Sequence, residues 1–140
     1  MRLLSTGTRV VSLGRMRPDM SDSQTYEIIG AAMEVHRILP RGLFEKIYCE
    51  ALGIELALRH IPFEPQYPMR MKYKGQRLAG FHYLDFVCFT NIVVEVKAAS
   101  ALTPADEAQL LNYLAMTGIR RGLLINFGAK SLQFERRVLG

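Results

Sequence analysis

Residues Phe81 to Ala98 read FHYLDFVCFTNIVVEVKA. Two apolar, β-rich runs flank the short polar pair Thr90-Asn91, a pattern that predicts two strands joined by a turn. Three charges interrupt the apolar runs: Asp85, Glu95 and Lys97. A charge buried in such a strand is costly unless it is paired or bound to a metal. Side chains alternate along a strand, which sets Glu95 and Lys97 on one face and Val94 and Val96 on the other. A hairpin closing at Thr90-Asn91 brings Asp85 near Glu95. Two carboxylates and an ammonium at one point of an apolar sheet suit a divalent-metal site, because hard cations take oxygen ligands. The lysine there can orient a water or neutralise developing charge. A structural ion pair of Lys97 with Glu95 or Asp85 accounts for the same spacing without any chemistry.

The chain has 140 residues, 49% hydrophobic and 22% charged. That is the length and make-up of one globular domain with a core. No apolar run reaches the length of a membrane span, so a soluble protein is expected. Cys49 and Cys88 lack metal-ligand spacing and read as buried free thiols of a reducing, cytoplasmic compartment. The net charge is +5; Arg2, Arg9, Arg15 and Arg17 against Asp19 put +3 of it in residues 1–20 and leave +2 for the rest. The folded part therefore does not declare a nucleic-acid surface by charge alone. Residues 1–20 lack periodicity and read as a disordered tail, or as sequence ahead of a true start at Met16 or Met20. The domain is expected over residues 21–140.

Around the hairpin, helical and strand periods alternate. Ile28, Ile29, Ala32, Val35, His36 and Leu39 predict a helix over 24–39, capped by Ser21, Asp22 or Ser23. His36 lies beside that stripe and reads as a packing histidine. Pro40-Arg41-Gly42 ends the helix. A second helix is expected from about Leu43 to His60, with Phe44, Ile47, Tyr48, Ala51 and Leu52 as its buried stripe. Glu45 shares a face with Tyr48, and spacing alone leaves it solvated. Pro62, Pro65 and Pro68 mark an edge strand, and Lys74-Gly75 a turn. A strand is expected from Arg77 through Phe89 with Gly80 as a bulge. It sets Tyr83, Asp85 and Val87 on one face and Leu84, Phe86 and Cys88 on the other. Ile92 to Val96 is apolar throughout but for Glu95, which favours a central strand. Thr103-Pro104-Ala105-Asp106-Glu107 is a strong helix start, and Gly118 its end. Strands over 122–126 and 132–138 complete an α/β (α+β) order: a mixed central β-sheet flanked by helices.

Several segments also match one family in order. They are Ile28-Ile29-Gly30-Ala31-Ala32 with Val35-His36, Gly42-Leu43-Phe44-Glu45-Lys46-Ile47-Tyr48, and Glu95-Val96-Lys97-Ala98. Gln109-Leu110-Leu111-Asn112-Tyr113-Leu114 and Gly122-Leu123-Leu124-Ile125-Asn126-Phe127-Gly128 follow. From about Tyr26 to Arg137 the chain resembles the GxxExxY family, a branch of the PD-(D/E)XK nuclease-like superfamily. The spacing Asp85-x9-Glu95-x-Lys97 resembles the core motif of that superfamily. The resemblance implies a restriction-endonuclease-like core. It implies that Asp85 and Glu95 are the principal ligands of Mg²⁺ or Mn²⁺, and that Glu45 completes the metal site. By the same resemblance Lys97 assists the attacking water or the transition state. Gln109 and Tyr113 match a Gln-x-x-x-Tyr signature that positions substrate or the active site.

Two departures stand out. Tyr83 occupies the place where many members carry an arginine, which removes a phosphate or carboxylate partner. Pro40-Arg41-Gly42 replaces a common Gly-Pro-Gly turn. The implied function is metal-dependent hydrolysis of phosphodiester bonds in DNA or RNA. The alternative is a catalytically inactive nuclease fold that binds or assembles, and a homodimer could supply surface that so small a core lacks. A small-molecule enzyme finds no support in any motif such as a Gly-rich phosphate loop.

Overall fold

The computed structural model describes residues 20–140. Its elements are α1 (Met20–Ile38), α2 (Glu45–Leu58), β1 (Phe63–Met69), β2 (Lys72–Tyr73), β3 (Gln76–Arg77) and β4 (His82–Cys88). Then come β5 (Ile92–Lys97), α3 (Pro104–Thr117), β6 (Arg121–Asn126) and β7 (Gln133–Val138). The main sheet has the order β1-β4-β5-β6-β7, with the apolar β5 in the middle as its sequence predicts. β5 and β6 run parallel because α3 carries the chain back across the sheet between them. The other junctions are antiparallel. This is the expected mixed sheet flanked by helices.

The strand period divides the core into two layers. On one face Ile28, Ala32 and Val35 of α1 and Tyr48, Leu52 and Leu56 of α2 pack on Phe86, Val94, Val96 and Leu123. On the other, Leu110, Tyr113 and Leu114 of α3 pack on Val87, Val93 and Leu124. Gly122 lets α3 lie close to β6: a methyl group there would stand 2.8 Å from Leu110. α3 starts with a capping box between Thr103 and Asp106, has Pro104 in its first turn, and ends on Gly118 in the left-handed region.

Several expectations give way. The helical backbone begins at Met20, so Ser21, Asp22 and Ser23 lie inside α1 and its cap position falls outside the described residues. The expectation for residues 1–20 also lies, apart from Met20, outside the described residues. The buried stripe of α2 is Tyr48, Leu52 and Leu56, whereas Phe44 is 81% and Ile47 40% exposed. Tyr48 sets this rotation. Its ring stacks on Phe127 at 5.1 Å. Its hydroxyl donates to the Pro40 carbonyl (2.6 Å) and accepts from the Leu43 amide (3.2 Å).

The expected strand from Arg77 to Phe89 is two elements. β2 and β3 close through Lys74 and Gly75, both at positive φ as a two-residue type I′ turn requires. Gly80 lies in the connection to β4 and is no bulge. The turn after β4 centres on Phe89 and Thr90, both left-handed, with the Asn91 amide bonded to the Cys88 carbonyl (2.9 Å). It therefore lies one residue earlier than Thr90-Asn91. His36 packs: its ring nitrogen lies 3.0 Å from the Ala129 carbonyl oxygen, and its ring stacks on Phe127.

Candidate active site

The regular strand alternation fails at one place. Leu84 packs with Val87 in the α3 layer, while Phe86 and Cys88 pack in the opposite layer, so Leu84 does not share their face as expected. β1 does the same: Phe63 packs toward α1 and α2, Tyr67 toward α3. Between them Gln66 is left-handed, with φ 50°. The β1–β4 pairing runs through Pro65↔Phe86 and Tyr67↔Leu84 but skips the pair Gln66 and Asp85. On the other side the β4–β5 pairing stops at Phe86↔Val94. The ladder is thus interrupted on both flanks of Asp85.

Carboxylates fill the gap. The Asp85 amide donates to Oε2 of Glu95 (2.9 Å), and the Val96 amide donates to Oδ2 of Asp85 (2.8 Å). The two acids thereby satisfy backbone groups that a continuous ladder would pair. They also lie against each other in a poorly solvated place, Glu95 buried and Asp85 half-buried. Burial, followed by the charge of Asp85, pushes the Glu95 acid up to about 8. Burial raises Asp85 as well, against the opposing Val96 amide and Lys97. Two charges on the pair are therefore disfavoured together, most strongly at Glu95. Two adjacent carboxyl groups whose second charge is unfavourable, each with an oxygen left over from its backbone bond, fit a hard divalent cation.

The remaining candidates surround this pair. Lys97 donates to Oε1 of Gln109 on α3 (2.9 Å) and lies 3.8 Å from Asp106. Its charge is felt by Asp85, Glu95 and Glu45 alike. Tyr113, one turn beyond Gln109, is buried; burial and then Glu95 and Asp85 raise its hydroxyl above the ordinary value. Its ring meets His82 edge-on at 5.9 Å. Glu45 is exposed at the start of α2. Desolvation still raises it, with Lys97 opposing and Asp85 and Asp106 adding, so it overlooks the pair without joining it. Among the described residues no three His, Cys, Asp or Glu side chains converge into a cage for a metal ion.

Cys49 is the residue that sequence reasoning passes over. Its thiol is pushed up to about 12 chiefly by burial, with the charges of Asp85, Glu45 and Glu95 adding, which sets it beside the pair. The signal for it is spacing: Cys49 lies four residues after Glu45, on the same helix face. Asp106 is visible in the sequence only as a helix-start acid, and its place beside Lys97 is a tertiary fact.

A family model described as the PD-(D/E)XK nuclease superfamily matches residues 22–138. The chain belongs to the PD-(D/E)XK nuclease superfamily. The mixed five-stranded sheet with its three helices is consistent with the restriction-endonuclease-like fold of that superfamily. Nucleases of the PD-(D/E)XK superfamily act on nucleic acid and generally use divalent metal ions. No curated protein sequence matches the chain. A solved structure described as the crystal structure of SSO0001 is 13% identical, with a TM-score of 0.46, over 82% of this chain and 77% of that one.

Proposed function

We propose that this protein is a metal-dependent nuclease that hydrolyses phosphodiester bonds in DNA or RNA, with Asp85, Glu95 and Lys97 at the reacting centre. The observation that carries the reading is the pair Asp85 and Glu95 at the break in the ladder, with Lys97 beside it. Asp85 and Glu95 would hold Mg²⁺ or Mn²⁺, and Glu45 would reach it from α2. A divalent cation held there supplies positive charge to the scissile phosphate and acidity to water. Water attacks phosphorus, the bond to the leaving oxygen breaks, and a phosphate monoester and a hydroxyl result. Lys97 stabilises the negative charge that builds up on the phosphate oxygens. Gln109 keeps the ammonium in place, and Tyr113 walls the site on the α3 side.

The match of Gly42, Glu45 and Tyr48 supports membership of the GxxExxY branch. Tyr48 braces the turn before α2, which fixes where Glu45 sits. The free thiols Cys49 and Cys88 favour a cytoplasmic setting. Among the described residues no helix is long and apolar enough to cross a membrane. A second reading, a nuclease fold that binds without cutting and gains surface as a homodimer, draws on Glu45 standing outside the pair.

The test is cleavage of single-stranded DNA, duplex DNA and RNA in Mg²⁺, Mn²⁺ and chelator. The nuclease reading expects metal-dependent cleavage that Lys97→Ala nearly eliminates while the metal still raises the melting temperature. No cleavage by the wild type on any of these substrates favours the binding fold.

A further inference from the structure

Residues 70–81 form the projecting end of the β1–β4 hairpin, with His82 and Tyr83, the first residues of β4, at its base. The last β1–β4 pair is Met69↔His82, and beyond it β2 and β3 pair only with each other. Two bonds close the base of this arm: the Leu78 amide to the Met71 carbonyl (2.9 Å), and Arg70 Nε to the Leu78 carbonyl (2.8 Å). Every residue from 70 to 83 is exposed. The arm nevertheless carries three aromatic rings, with Tyr73 63%, Phe81 50% and Tyr83 53% exposed. It also carries Arg70, Lys72, Lys74 and Arg77 and no acid, a charge of +4. Residues 21–140 total +2, so the rest of that span is at −2. The positive charge of residues 21–140 is thus concentrated here.

Cations and rings are interleaved. The Arg70 guanidinium lies 5.7 Å from the centre of the Phe81 ring, and the Lys74 ammonium 5.6 Å from that of Tyr73. Phe81 and Tyr83 meet edge-on at 5.0 Å. Core packing does not account for rings on an arm in which no residue is buried, and exposed apolar clusters of this kind mark interaction sites. The arm also leads to the candidate centre. A cavity of about 420 Å³, lined by Met71, Leu78, His82, Asn112 and Met116, opens between it and α3. His82 touches Tyr113, and Tyr83 stands two residues before Asp85. A ligand that alternates negative charge with flat π-faces matches this surface, and unpaired bases on a phosphate backbone have that chemistry.

We infer that residues 70–83 are a binding arm for single-stranded nucleic acid, stacking bases on Tyr73, Phe81 and Tyr83 while Lys72, Lys74 and Arg77 meet phosphates. The strand's destination at Asp85 and Glu95 rests on the nuclease reading; the binding itself does not.

Binding is measured by fluorescence anisotropy in chelator, so that cleavage does not intervene. The probes are labelled single-stranded DNA, single-stranded RNA and a DNA duplex of equal length. Tyr73→Leu weakens single-strand binding roughly tenfold, while Tyr73→Phe, which keeps a π-face, binds as wild type. The combined Lys72→Gln, Lys74→Gln and Arg77→Gln variant loses about two from the slope of log affinity against log salt. Unchanged melting temperatures show that all three variants fold. Equal binding by Tyr73→Leu and wild type overturns the inference, as does a duplex bound as tightly as the single strands. A preference between the DNA and RNA probes identifies the source of the strand. Cleavage in Mn²⁺ is scored separately. Arm-dependent binding without cleavage retires the nuclease reading and leaves the arm; cleavage with arm-independent binding does the reverse.

Discussion

Replacing Glu95 by glutamine should make the metal-free protein more stable at alkaline pH. The sign follows from proton counting. The Glu95 acid lies at about 8 in the folded protein against 4.5 for an ordinary glutamate. Across that window the folded state holds a proton that the unfolded chain has lost, so stability falls as pH rises and levels off above about 8. The window spans roughly three pH units, and each unit costs up to about 1.4 kcal/mol, so the ionised pair costs on the order of 4 kcal/mol. Glutamine removes that cost. It keeps an oxygen for the Asp85 amide, now bonded at 2.9 Å, and places an amide donor beside the Asp85 carboxylate.

Thermal unfolding in chelator between pH 5 and 9 measures the effect. Wild-type Tm should fall between pH 5 and 8, while Glu95→Gln stays nearly flat. At pH 8.5 the variant should unfold roughly 16 °C higher, at about 4 °C per kcal/mol for a domain of this size. Mg²⁺ at about a hundred times its Kd should return about 2.7 kcal/mol to the wild type at pH 8.5 and nothing to the variant. A wild-type Tm that does not change from pH 5 to 8.5, or a variant that falls in parallel, would refute the buried-pair account.

Three further outcomes can be measured by the same unfolding assay. Asp85→Ala should lose about 1–3 kcal/mol in chelator because the Val96 amide is left without its acceptor; Asp85→Asn should keep most of that stability yet show no Mg²⁺ response. Tyr48→Phe should cost about 1–3 kcal/mol, since the Pro40 carbonyl and Leu43 amide both lose the hydroxyl; a neutral result would detach that tyrosine from the α1–α2 turn. Gly122→Ala should cost about 1–3 kcal/mol by driving a methyl against Leu110 and Leu114, and a stable variant would show that α3 can move off β6.

Parts of this structure are legible in the chain because local chemistry and tertiary packing agree. The start of α3 announces itself through Thr103, Pro104 and Asp106, and Gly118 ends it. β5 reads as central because no polar residue breaks Ile92 to Val94. α2 misleads because it offers two apolar stripes at helical spacing. Phe44, Ile47 and Ala51 make one; Tyr48, Leu52 and Leu56 make the other. Periodicity cannot choose between them, and the tertiary partners of the Tyr48 hydroxyl and ring do. The β2–β3 arm escapes for a different reason. Its apolar residues suggest a strand that continues into the sheet, although none of them is buried.

The misplacement of Leu84 bears most directly on function. Alternation assumes an unbroken ladder, and at Asp85 the ladder is broken on both sides. A backbone interruption in mid-sheet is costly unless its amides find other partners. Here the partners are the carboxylates of Asp85 and Glu95 themselves. Each acid therefore has two tasks, one oxygen for the backbone and the other for whatever the pair binds. That division also restricts substitution: the Oδ2 bond to Val96 is lost with any side chain lacking an acceptor at that reach. The acids that would ligate a cation are the same groups that let β4 change face, so the site and the local fold are one feature. A lysine could neutralise Glu95 but could not accept the Asp85 amide, because an ammonium only donates. This explains in physical terms why the ammonium of the trio sits two residues further along β5, at Lys97, where Gln109 and Asp106 rather than the backbone hold it.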